Sequence, residues 1–460
     1  MEDSYITIFG ATGDLARKKI YKSLYDLYLN KELENINILG LGRNKVEDLE
    51  YRDLVKKSLT NFSSDKIDDF LDKFSFIEID YSNKESLYNQ INTKFSLEKG
   101  LEFLFYMAIP PSAFQSTIDL VYYLKNQAKD FKIKLLIEKP FGEDLESAQY
   151  LNKILKEYFE EEEIYRVDHY LGKETIQNII ALRFGNSIFE PMLNNHYVED
   201  IHIDVFESIG VEDRAEYFDQ NGIIKDMFQS HILQIMAMFM MESPVRMEAE
   251  FIRDEKYKVL RSLKPIDIDK IKIGQYLANN NQNIKSYLEE EGTPTNSKTE
   301  TYFEVPIFVD NLRWEGVPIY IRTGKRMSEK KAEIRVVFKE SFRYFMNYDE
   351  ECNPKANELV ISIQPEEEIY LSINAKMPGK GMCIQPIKLN FTYTDLLQKT
   401  IDPYTRLIKD AIEGDQKLFV RKDEIEQAWE FVMPLIKNKQ KLQENLVYYK
   451  ACDPKELLKI

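Results

Sequence analysis

The first 168 residues alternate between short runs rich in β-branched and aromatic residues and longer stretches with apolar residues at helical spacing. Regular alternation of this kind is typical of a doubly wound parallel sheet, because each crossover helix covers one face of the sheet. Such sheets bind ligands beyond the carboxyl ends of their strands. The sequence therefore predicts a Rossmann-like α/β domain over residues 1–168. The predicted strands are Tyr5–Phe9, Ile36–Leu41, Phe74–Ile79, Phe103–Ala108, Ile133–Ile137 and Ile164–Val167.

The pattern changes after about residue 170. Helical stretches at Thr175–Phe184 and Gly222–Met241 are followed by strands that lack crossover helices between them. Consecutive strands favour a large, mostly antiparallel sheet with helices on one face, so residues 169–460 are predicted to form an α+β domain. The polar segment Tyr276–Ser297 is expected to be a helix-like surface excursion. The predicted strands are Glu300–Val309, Pro318–Arg322, Glu333–Phe338, Glu358–Gln364 and Glu368–Ala375.

Composition limits the classes of partner. A formal net charge of −16 argues against nucleic acid, since phosphate backbones require a basic surface. No apolar run approaches the ~18 residues of a membrane span, and no signal peptide precedes the first strand. The cysteines at positions 352, 383 and 452 have neither a disulfide framework nor metal-ligand spacing. We therefore expect a cytoplasmic protein with no metal, membrane or nucleic-acid partner.

The stretch GATGDLARKK follows the first predicted strand and opens the first helix. Gly10, Gly13 and Ala16 form a variant of the dinucleotide-binding fingerprint, in which glycines allow a tight turn and close approach of the pyrophosphate. The helix amides would then face the phosphates. An ordinary strand-to-helix turn is the alternative.

Two cationic residues stand where strands of the first domain end. Arg43 occupies the place where an NAD-specific site usually has an acid, and its planar donors suit a 2′-phosphate. Lys139 precedes Pro140, which stops the strand at the ligand edge of the sheet. The alternatives are an exposed loop arginine and a solvated lysine. The pattern favours NADP as the cofactor.

The segment RVDHYLGKE, residues 166–174, ends the last Rossmann-like strand. If the following helix includes His169 and Lys173, they lie four residues apart on one face and could grip a phosphate. Asp168 is then free to orient a base, and His231 is the candidate because it heads an apolar helix. A charged helix cap and a satisfied core histidine are the alternatives.

Five cations lie between Arg322 and Lys331. In an acidic protein, such a cluster is a candidate site for holding an anion. A basic hairpin loop is the alternative.

Together these motifs resemble the glucose-6-phosphate dehydrogenase family. The matching segments are GATGDLA, FYMAIPP, EKPFG, RVDHYLGKE, GVEDRAEYFDQNGIIKDMFQSH, TETYFEVPIFVDNLRWEGVPIYIRTGKRM and GDQKLFVRKDE, in this order over residues 6 to about 430. The resemblance implies oxidation of D-glucose 6-phosphate to 6-phospho-D-glucono-1,5-lactone, with hydride transfer to NADP or, alternatively, also to NAD. It also implies the first step of the oxidative pentose phosphate pathway and a homodimer or homotetramer. A sensor without catalysis is the rival function.

The resemblance implies a role for each matching residue. His231 is the implied base and Asp168 its orienting partner. The implied cofactor-binding residues are Gly10, Ala11, Thr12, Gly13, Asp14, Leu15, Lys19, Arg43, Tyr106 and Lys139. The implied substrate-binding residues are Lys139, Glu207, Asp226, Lys325 and Lys330 for the sugar, and His169, Tyr170 and Lys173 for its phosphate.

The segments depart from the family pattern at three positions. Val167 stands where the family often has isoleucine, and Ser230 where asparagine commonly precedes the base histidine. Lys330 replaces an arginine, so a bidentate contact there is in doubt.

Overall fold

The computed structural model describes residues 4–33, 35–60, 62, 65–81, 83–95, 101–127, 131–340, 353–381, 383–392, 401–455 and 457. Contacts divide the chain into two compact units. Unit 1 consists of Met1–Gly172, Met247–Arg253 and Ile401–Ile425. Unit 2 consists of Lys173–Arg246, Asp254–Thr400 and Glu426–Ile460. The division of the sequence at residue 168 remains a prediction, and it did not include the two later segments of unit 1.

Unit 1 contains a six-stranded sheet whose described pairs are all parallel. The strand order is β3-β2-β1-β4-β5-β6, so the direction of winding reverses between β1 and β4. Ligands bind at such a reversal because the two adjacent crossovers leave in opposite directions and open a crevice. The predicted Rossmann-like domain is confirmed. Its strands are β1 (Ser4–Phe9), β2 (Ile36–Gly42), β3 (Phe74–Glu78), β4 (Glu102–Met107), β5 (Lys132–Ile137) and β6 (Ile164–Arg166).

Unit 2 contains a nine-stranded sheet with the order β14-β13-β12-β11-β7-β10-β9-β8-β15. Most neighbouring strands are antiparallel, as predicted, but β7 pairs with β10, and β8 with β15, in parallel. Strands from distant parts of the chain meet at these two pairs, which local sequence spacing cannot indicate. The strands are β7 (Val198–Phe206), β8 (Lys272–Leu277), β9 (Tyr302–Ile307), β10 (Ile319–Gly324), β11 (Lys331–Phe338), β12 (Glu358–Gln364), β13 (Glu368–Lys376), β14 (Ile384–Thr392) and β15 (Val447–Lys450).

Helices cover the strands in both units. Their apolar residues recur at helical spacing, and the buried positions follow that spacing in α1, α5 and α11. The bounds are α1 (Tyr21–Leu29), α2 (Asp48–Ser58), α3 (Ile67–Leu71), α4 (Lys84–Phe95), α5 (Phe114–Gln127), α6 (Leu145–Tyr158), α7 (Glu174–Phe184), α8 (Ala215–Ile223), α9 (Leu233–Met240), α10 (Ala249–Arg261), α11 (Pro403–Glu413), α12 (Lys422–Lys437) and α13 (Lys439–Glu444).

The helix predicted at Gly222–Met241 differs from a regular α-helix. Gly222 has a φ of 67° and a ψ of 173°, which interrupts the helical backbone. Ile224–Ile232 then forms a π-helix before α9 continues the helix to Met240. π-turns of this kind occur frequently at functional sites.

The segment Tyr276–Ser297 was predicted to be a helix-like surface excursion; most of its residues are exposed, as predicted, but its helical structure is limited to two short 3-10 turns, at Asn280–Gln282 and Tyr287–Glu289. Tyr276 lies in β8, and both Tyr276 and Tyr287 are fully buried. Their hydroxyl groups donate to Glu290 and Asp219, respectively, at 2.9 and 2.8 Å. Polar residues outnumber these two rings in the segment, and the carboxylates satisfy the hydroxyl groups and so allow the two rings to be buried.

No helix among the described residues is long and apolar enough to cross a membrane. Cys383 is disulfide-bonded, whereas Cys452 is free. The sequence analysis predicted no disulfide framework and did not indicate the bond at Cys383, because pairing depends on spatial proximity rather than on sequence spacing. Cys352 lies outside the described residues.

The parallel pair β7–β10 contains a buried ion pair. Arg322 donates from Nε and a terminal nitrogen to the two carboxylate oxygens of Asp204, at 2.7 and 2.8 Å. Asp204 is 1% exposed and Arg322 is 8% exposed. This bidentate geometry satisfies both charges in a site that excludes water.

Replacement of Asp204 tests this pair. Asp204→Ala leaves the Arg322 guanidinium buried without its main partner and should lower the free energy of unfolding by about 3–5 kcal/mol. The double variant Asp204→Leu/Arg322→Met should recover most of this loss, since it removes both charges. Urea unfolding midpoints measure the effect, with Asp53→Ala, which breaks the exposed Lys57–Asp53 pair, as the control. Equal losses in the Asp204 and Asp53 variants would contradict the prediction.

Candidate active site

The glycine-rich turn of unit 1 lies at the carboxyl end of β1. Gly10 has a φ of 74°, and a Cβ atom there would overlap the carbonyl oxygen of Ala108, directly after β4. The Gly13 amide donates to the Gly10 carbonyl at 2.9 Å, which closes the turn, and Ala16 is fully buried. The first amides of the helix that follows have no intrahelical acceptor and are available to an anion. The turn therefore has the geometry of a pyrophosphate cradle.

Two tyrosines that the sequence did not single out support this turn from inside the unit. The hydroxyl of Tyr21 donates to the carbonyl of Ala11, and it lies 3.0 Å from the hydroxyl of Tyr51. Since Tyr21 donates its proton to Ala11, Tyr51 is the donor between the two rings. The ring of Tyr51 occupies the space that a Cβ atom on Gly40 would take. The glycine at position 40 was the available sequence signal for this contact.

Three predicted cofactor residues are polar and surround the turn. Asp14 and Lys18 form an exposed ion pair at 2.9 Å, and the hydrogen bond from Lys18 lowers the pKa of Asp14. The Lys19 ammonium lies 3.7 Å from Asp402, the N-cap of α11. Arg43 is exposed in the bend directly after β2, whose end pairs with the end of β1. Arg43 is thus available to a ligand at the glycine-rich turn.

A buried acid that the sequence analysis did not assign lies beside two predicted residues. The Tyr106 hydroxyl donates to the Glu138 carboxylate at 2.5 Å. Burial raises the pKa of Glu138 to about 7, against the lowering effects of the Tyr106 hydrogen bond and Lys139, while Asp168 raises it further. Lys139 follows directly and is joined to Pro140 by a cis peptide bond. The carboxyl edge of β4 and β5 therefore presents a Tyr106–Glu138–Lys139 cluster.

The segment after β6 forms a turn rather than the predicted helix. The Asp168 carboxylate accepts from the Tyr170 amide at 2.9 Å, and its carbonyl accepts from Leu171 at 3.1 Å. An aspartate that binds the backbone two residues on forms a turn and delays the helix. Helix α7 consequently begins at Glu174, so the prediction that His169 and Lys173 share a helical face is wrong.

The two phosphate candidates have different surroundings. The His169 ring stacks on Tyr404 with centroids 5.9 Å apart and 11° between the planes. Lys173 is 7% exposed and is the N-cap residue of α7, at the positive end of an eleven-residue helix. An ammonium at such an end increases the positive potential that an anion experiences.

Unit 2 brings together three residues that the resemblance assigns to the sugar. The Lys325 ammonium lies 2.5 Å from the Glu207 carboxylate and 3.7 Å from that of Asp226. Lys325 is 1% exposed, and its ammonium lies 5.0 Å from the centroid of the Phe218 ring. Glu207 and Lys325 follow the ends of the parallel neighbours β7 and β10, while Asp226 comes from the π-helix. The carboxylates balance a charge that could not otherwise be buried.

His231 is 1% exposed and lies on the same π-helix as Asp226. A π-turn joins residues five apart by a backbone hydrogen bond, so His231 follows Asp226 by one turn. In a regular α-helix the two residues would diverge around the axis, and the helix predicted at Gly222–Met241 took no account of this. Asp168 belongs to unit 1 and His231 to unit 2, and their pairing remains a prediction.

Most of the predicted cation cluster is paired within unit 2. Four of its five members have carboxylate partners: Arg322 with Asp204, Lys325 with Glu207, Arg326 with Glu290, and Lys331 with Glu333. Neighbouring strands and loops thus balance the charges of these four residues. That the cluster holds an anion remains a prediction. Lys330 is exposed in the loop before β11 and does not join the Lys325 cluster in the described structure.

Comparison with known proteins identifies the family. Residues 7–178 match the model described as glucose-6-phosphate dehydrogenase, NAD binding domain, and residues 180–458 match the one described as its C-terminal domain. The chain belongs to the glucose-6-phosphate dehydrogenase family. The predicted family is therefore confirmed, and the NAD-binding domain indicates a pyridine nucleotide as cofactor.

Individual members of the family align over nearly the whole chain. The glucose-6-phosphate 1-dehydrogenase of Borreliella burgdorferi is 40% identical over 464 residues, covering 98% of this chain and 95% of that protein. The Bacillus subtilis enzyme is 41% identical over 442 residues, covering 93% and 90%. A solved glucose-6-phosphate dehydrogenase in complex with its substrate glucose-6-phosphate has a TM-score of 0.90 at 36% identity, with 98% and 94% coverage.

The buried acid Glu138 predicts a pH dependence of stability in this family member. Its folded-state pKa of about 7 lies above the ordinary value of 4.5, so its stabilising contribution is complete below pH 4.5 and is lost as the pH rises through 7. The loss should amount to about 3 kcal/mol at most. Glu138→Gln cannot ionise and should show a flatter dependence of the urea unfolding midpoint between pH 5 and pH 8.

Tyr106→Phe provides the matched comparison. It removes a hydrogen bond that lowers the pKa of Glu138, so the decline in stability should move to higher pH. Parallel pH dependences in the wild type and Glu138→Gln would exclude Glu138 as the titrating group.

Proposed function

We propose that the protein oxidises D-glucose 6-phosphate to 6-phospho-D-glucono-1,5-lactone with NADP as the hydride acceptor, the first step of the oxidative pentose phosphate pathway. The observation that carries this proposal is the family match over both domains, together with a buried Lys325–Glu207–Asp226 cluster beside the His231 helix. We also propose that the reaction takes place in the cytoplasm.

The residues of the glycine-rich turn fit a dinucleotide. Any Cβ atom on Gly10 would be obstructed, and the turn leaves the start of the following helix open to phosphate. In this proposal Gly10 and Gly13 admit the pyrophosphate and Arg43 binds the 2′-phosphate. Bound NADP supplies the hydride-accepting nicotinamide. The implied NADP-binding set also contains Ala11, Thr12, Asp14, Leu15, Lys19, Tyr106 and Lys139.

The proposed sugar site combines residues that bind the phosphate with residues that form hydrogen bonds to the sugar hydroxyl groups. Lys173 at the positive end of α7, with His169 and Tyr170, binds the 6-phosphate in this proposal. Glu207, Asp226 and Lys325 orient the sugar hydroxyl groups, with Lys139 and Lys330 as further contacts. Tyr170, Lys173 and Lys325 are buried, and this makes their polar contacts selective, because a ligand that leaves them unpaired carries the cost of desolvation.

His231 is the proposed base. In its neutral form it accepts the proton of the anomeric hydroxyl while hydride leaves the same carbon, so the carbon–oxygen bond becomes a carbonyl. Asp168 orients the imidazole and stabilises its protonated form. The hydride takes both electrons of the broken carbon–hydrogen bond to the nicotinamide, and the proton remains on His231.

A homodimer or homotetramer is also proposed. On β14 the alternate residues Ile387, Leu389 and Phe391 are 40%, 52% and 36% exposed. Alternation places their side chains on one face of the sheet, and an exposed apolar face of this kind is typical of an interaction surface. The proposed interface therefore contains this face of unit 2.

Replacement of the base tests the reaction. His231→Asn should lower kcat by at least ~10²-fold while leaving both Michaelis constants nearly unchanged, since proton removal occurs in the transition state. Asp168→Asn should lower kcat less. Initial rates of NADPH formation at 340 nm measure the effect, with His196→Asn, an exposed loop histidine, as the control. Normal turnover in His231→Asn would show that His231 is not the base.

Replacement of Arg43 tests the choice of cofactor. Because NADP alone has the 2′-phosphate, Arg43→Ala should reduce kcat/KM for NADP more than for NAD. A charge-assisted contact contributes ~1.5–3 kcal/mol, so the NADP/NAD ratio should fall about tenfold or more. The exposed Lys45, replaced by alanine at the same ionic strength, is the matched control. An unchanged ratio in Arg43→Ala would show that Arg43 does not read the 2′-phosphate.

A further inference from the structure

The helix that carries Asp226 and His231 begins at an unusual junction. The backbone at Gly222 leaves the helical conformation, and the chain re-enters the helix at the next two residues. Their amides are bound by one residue from a distant segment: Ile223 donates to the carbonyl of Glu300 at 3.2 Å, and Ile224 donates to its carboxylate at 3.4 Å. Glu300 therefore fixes the start of this helix.

Gly222 and Glu300 also fit together sterically. A Cβ atom on Gly222 would overlap a carboxylate oxygen of Glu300, and the positive φ of Gly222 strains any other residue. The carboxyl group thus lies directly against the bare Cα atom. Both the glycine and the acid are needed for this arrangement.

Glu300 is 4% exposed, and burial raises its pKa. Hydrogen bonds from its own backbone and from Ile224 oppose this rise, as do the charges of Lys439 and Lys225. Glu300, Lys225 and Lys439 line a cavity of about 230 Å³ in unit 2 together with the apolar side chains of Ile273 and Leu435. A buried acid held in this way has a fixed position rather than a solvated one.

Thr301, the residue after Glu300, contacts the backbone of Lys325. The carbonyl of Thr301 accepts from the Lys325 amide at 2.8 Å. The Tyr449 hydroxyl lies 2.9 Å from the Thr301 hydroxyl and donates to the Lys325 carbonyl at 2.6 Å. The dipeptide Glu300–Thr301 consequently contacts both the strand end that positions Lys325 and the helix that positions Asp226.

We propose that Glu300 is a positioning residue for the reaction: it holds the helix of Asp226 and His231 in register with Lys325, without touching the substrate. The inference rests on the proposed function. Catalysis is sensitive to geometry: a displacement of ~1 Å in a catalytic group can lower the rate ~10²-fold. A residue that fixes the position of this helix therefore affects the rate without touching the substrate.

The test compares three variants of Glu300. Glu300→Ala and Glu300→Asp, which cannot reach the Ile224 amide with the same geometry, should lower kcat at least about tenfold. The Michaelis constant for NADP should stay within about twofold, because unit 1 is unchanged. Glu300→Gln keeps an oxygen acceptor of the same reach and should retain kcat within about threefold. Glu304→Gln on the neighbouring strand β9 is the matched control and should behave as wild type.

Gly222→Ala gives an independent measurement. Its Cβ atom displaces the Glu300 carboxylate, so it should reproduce the fall in kcat of Glu300→Ala. The double variant Gly222→Ala/Glu300→Ala should then be no slower than Gly222→Ala alone, since Gly222→Ala already displaces the Glu300 carboxylate. Additive losses would overturn the proposal.

A purely structural role predicts different results. If Glu300→Ala lowers only the amount of folded enzyme, kcat per folded molecule, from active-site titration, stays at the wild-type value, and the proposal is overturned. If Glu300→Ala folds poorly, kcat per folded molecule is measured for Glu300→Asp and Gly222→Ala instead, and wild-type values there overturn the proposal in the same way. Wild-type protein that does not oxidise glucose 6-phosphate would refute the proposed function itself, whereas an active wild type with fully active Glu300 and Gly222 variants refutes only the role of Glu300.

Discussion

The ammonium of Lys325 is 1% exposed, and a charge buried to this extent must be balanced by carboxylates within reach. Glu207 balances it from the end of β7, and Asp226 does so from the π-helix. Because Glu207 and Lys325 follow two central strands and Asp226 lies on the π-helix, these ion pairs connect the nine-stranded sheet to the helix that carries His231. The sheet provides a rigid base, since the pair Arg322–Asp204 connects the same two strands further from the site. The geometry of the proposed sugar site therefore depends on the balance of one buried charge.

The glycine-rich turn of unit 1 depends on a bare Cα atom and on buried hydroxyl groups, while the ion pairs beside it, such as Asp14–Lys18, are exposed. The turn after β1 passes so close to Ala108 that only glycine fits, and the hydroxyl of Tyr21 holds the turn from the inside. Beside it, Glu138 is buried with a raised pKa and accepts a hydrogen bond from Tyr106. The first amides of the helix that follows the turn have no intrahelical acceptor. In the proposed function these amides bind the dinucleotide.

The proposed mechanism divides the tasks between separate structural elements. Polar groups at the ends of β7 and β10 and on the π-helix are fixed by hydrogen bonds and ion pairs before any ligand binds. Preorganised groups of this kind stabilise a transition state without reorganisation during the reaction. The Glu300–Thr301 dipeptide extends this arrangement, because it contacts both the helix and the strand end.

The sequence by itself determined the Rossmann-like sheet, the glycine-rich turn and the family, because strand–helix alternation and short motifs are local properties of the chain. It also placed Glu207, Asp226 and Lys325 in one site by resemblance. Only the tertiary structure decided that most of the cations between Arg322 and Lys331 are paired, that Asp168 forms a turn which delays α7 to Glu174, and that β7 pairs with β10 in parallel. Only the tertiary structure showed that Glu300 binds the start of the π-helix and that Tyr51 packs against Gly40 beside Tyr21. The physical reason is that ion pairs, parallel strand pairs and packing against a bare glycine join residues far apart in the chain, and no local pattern records those distances.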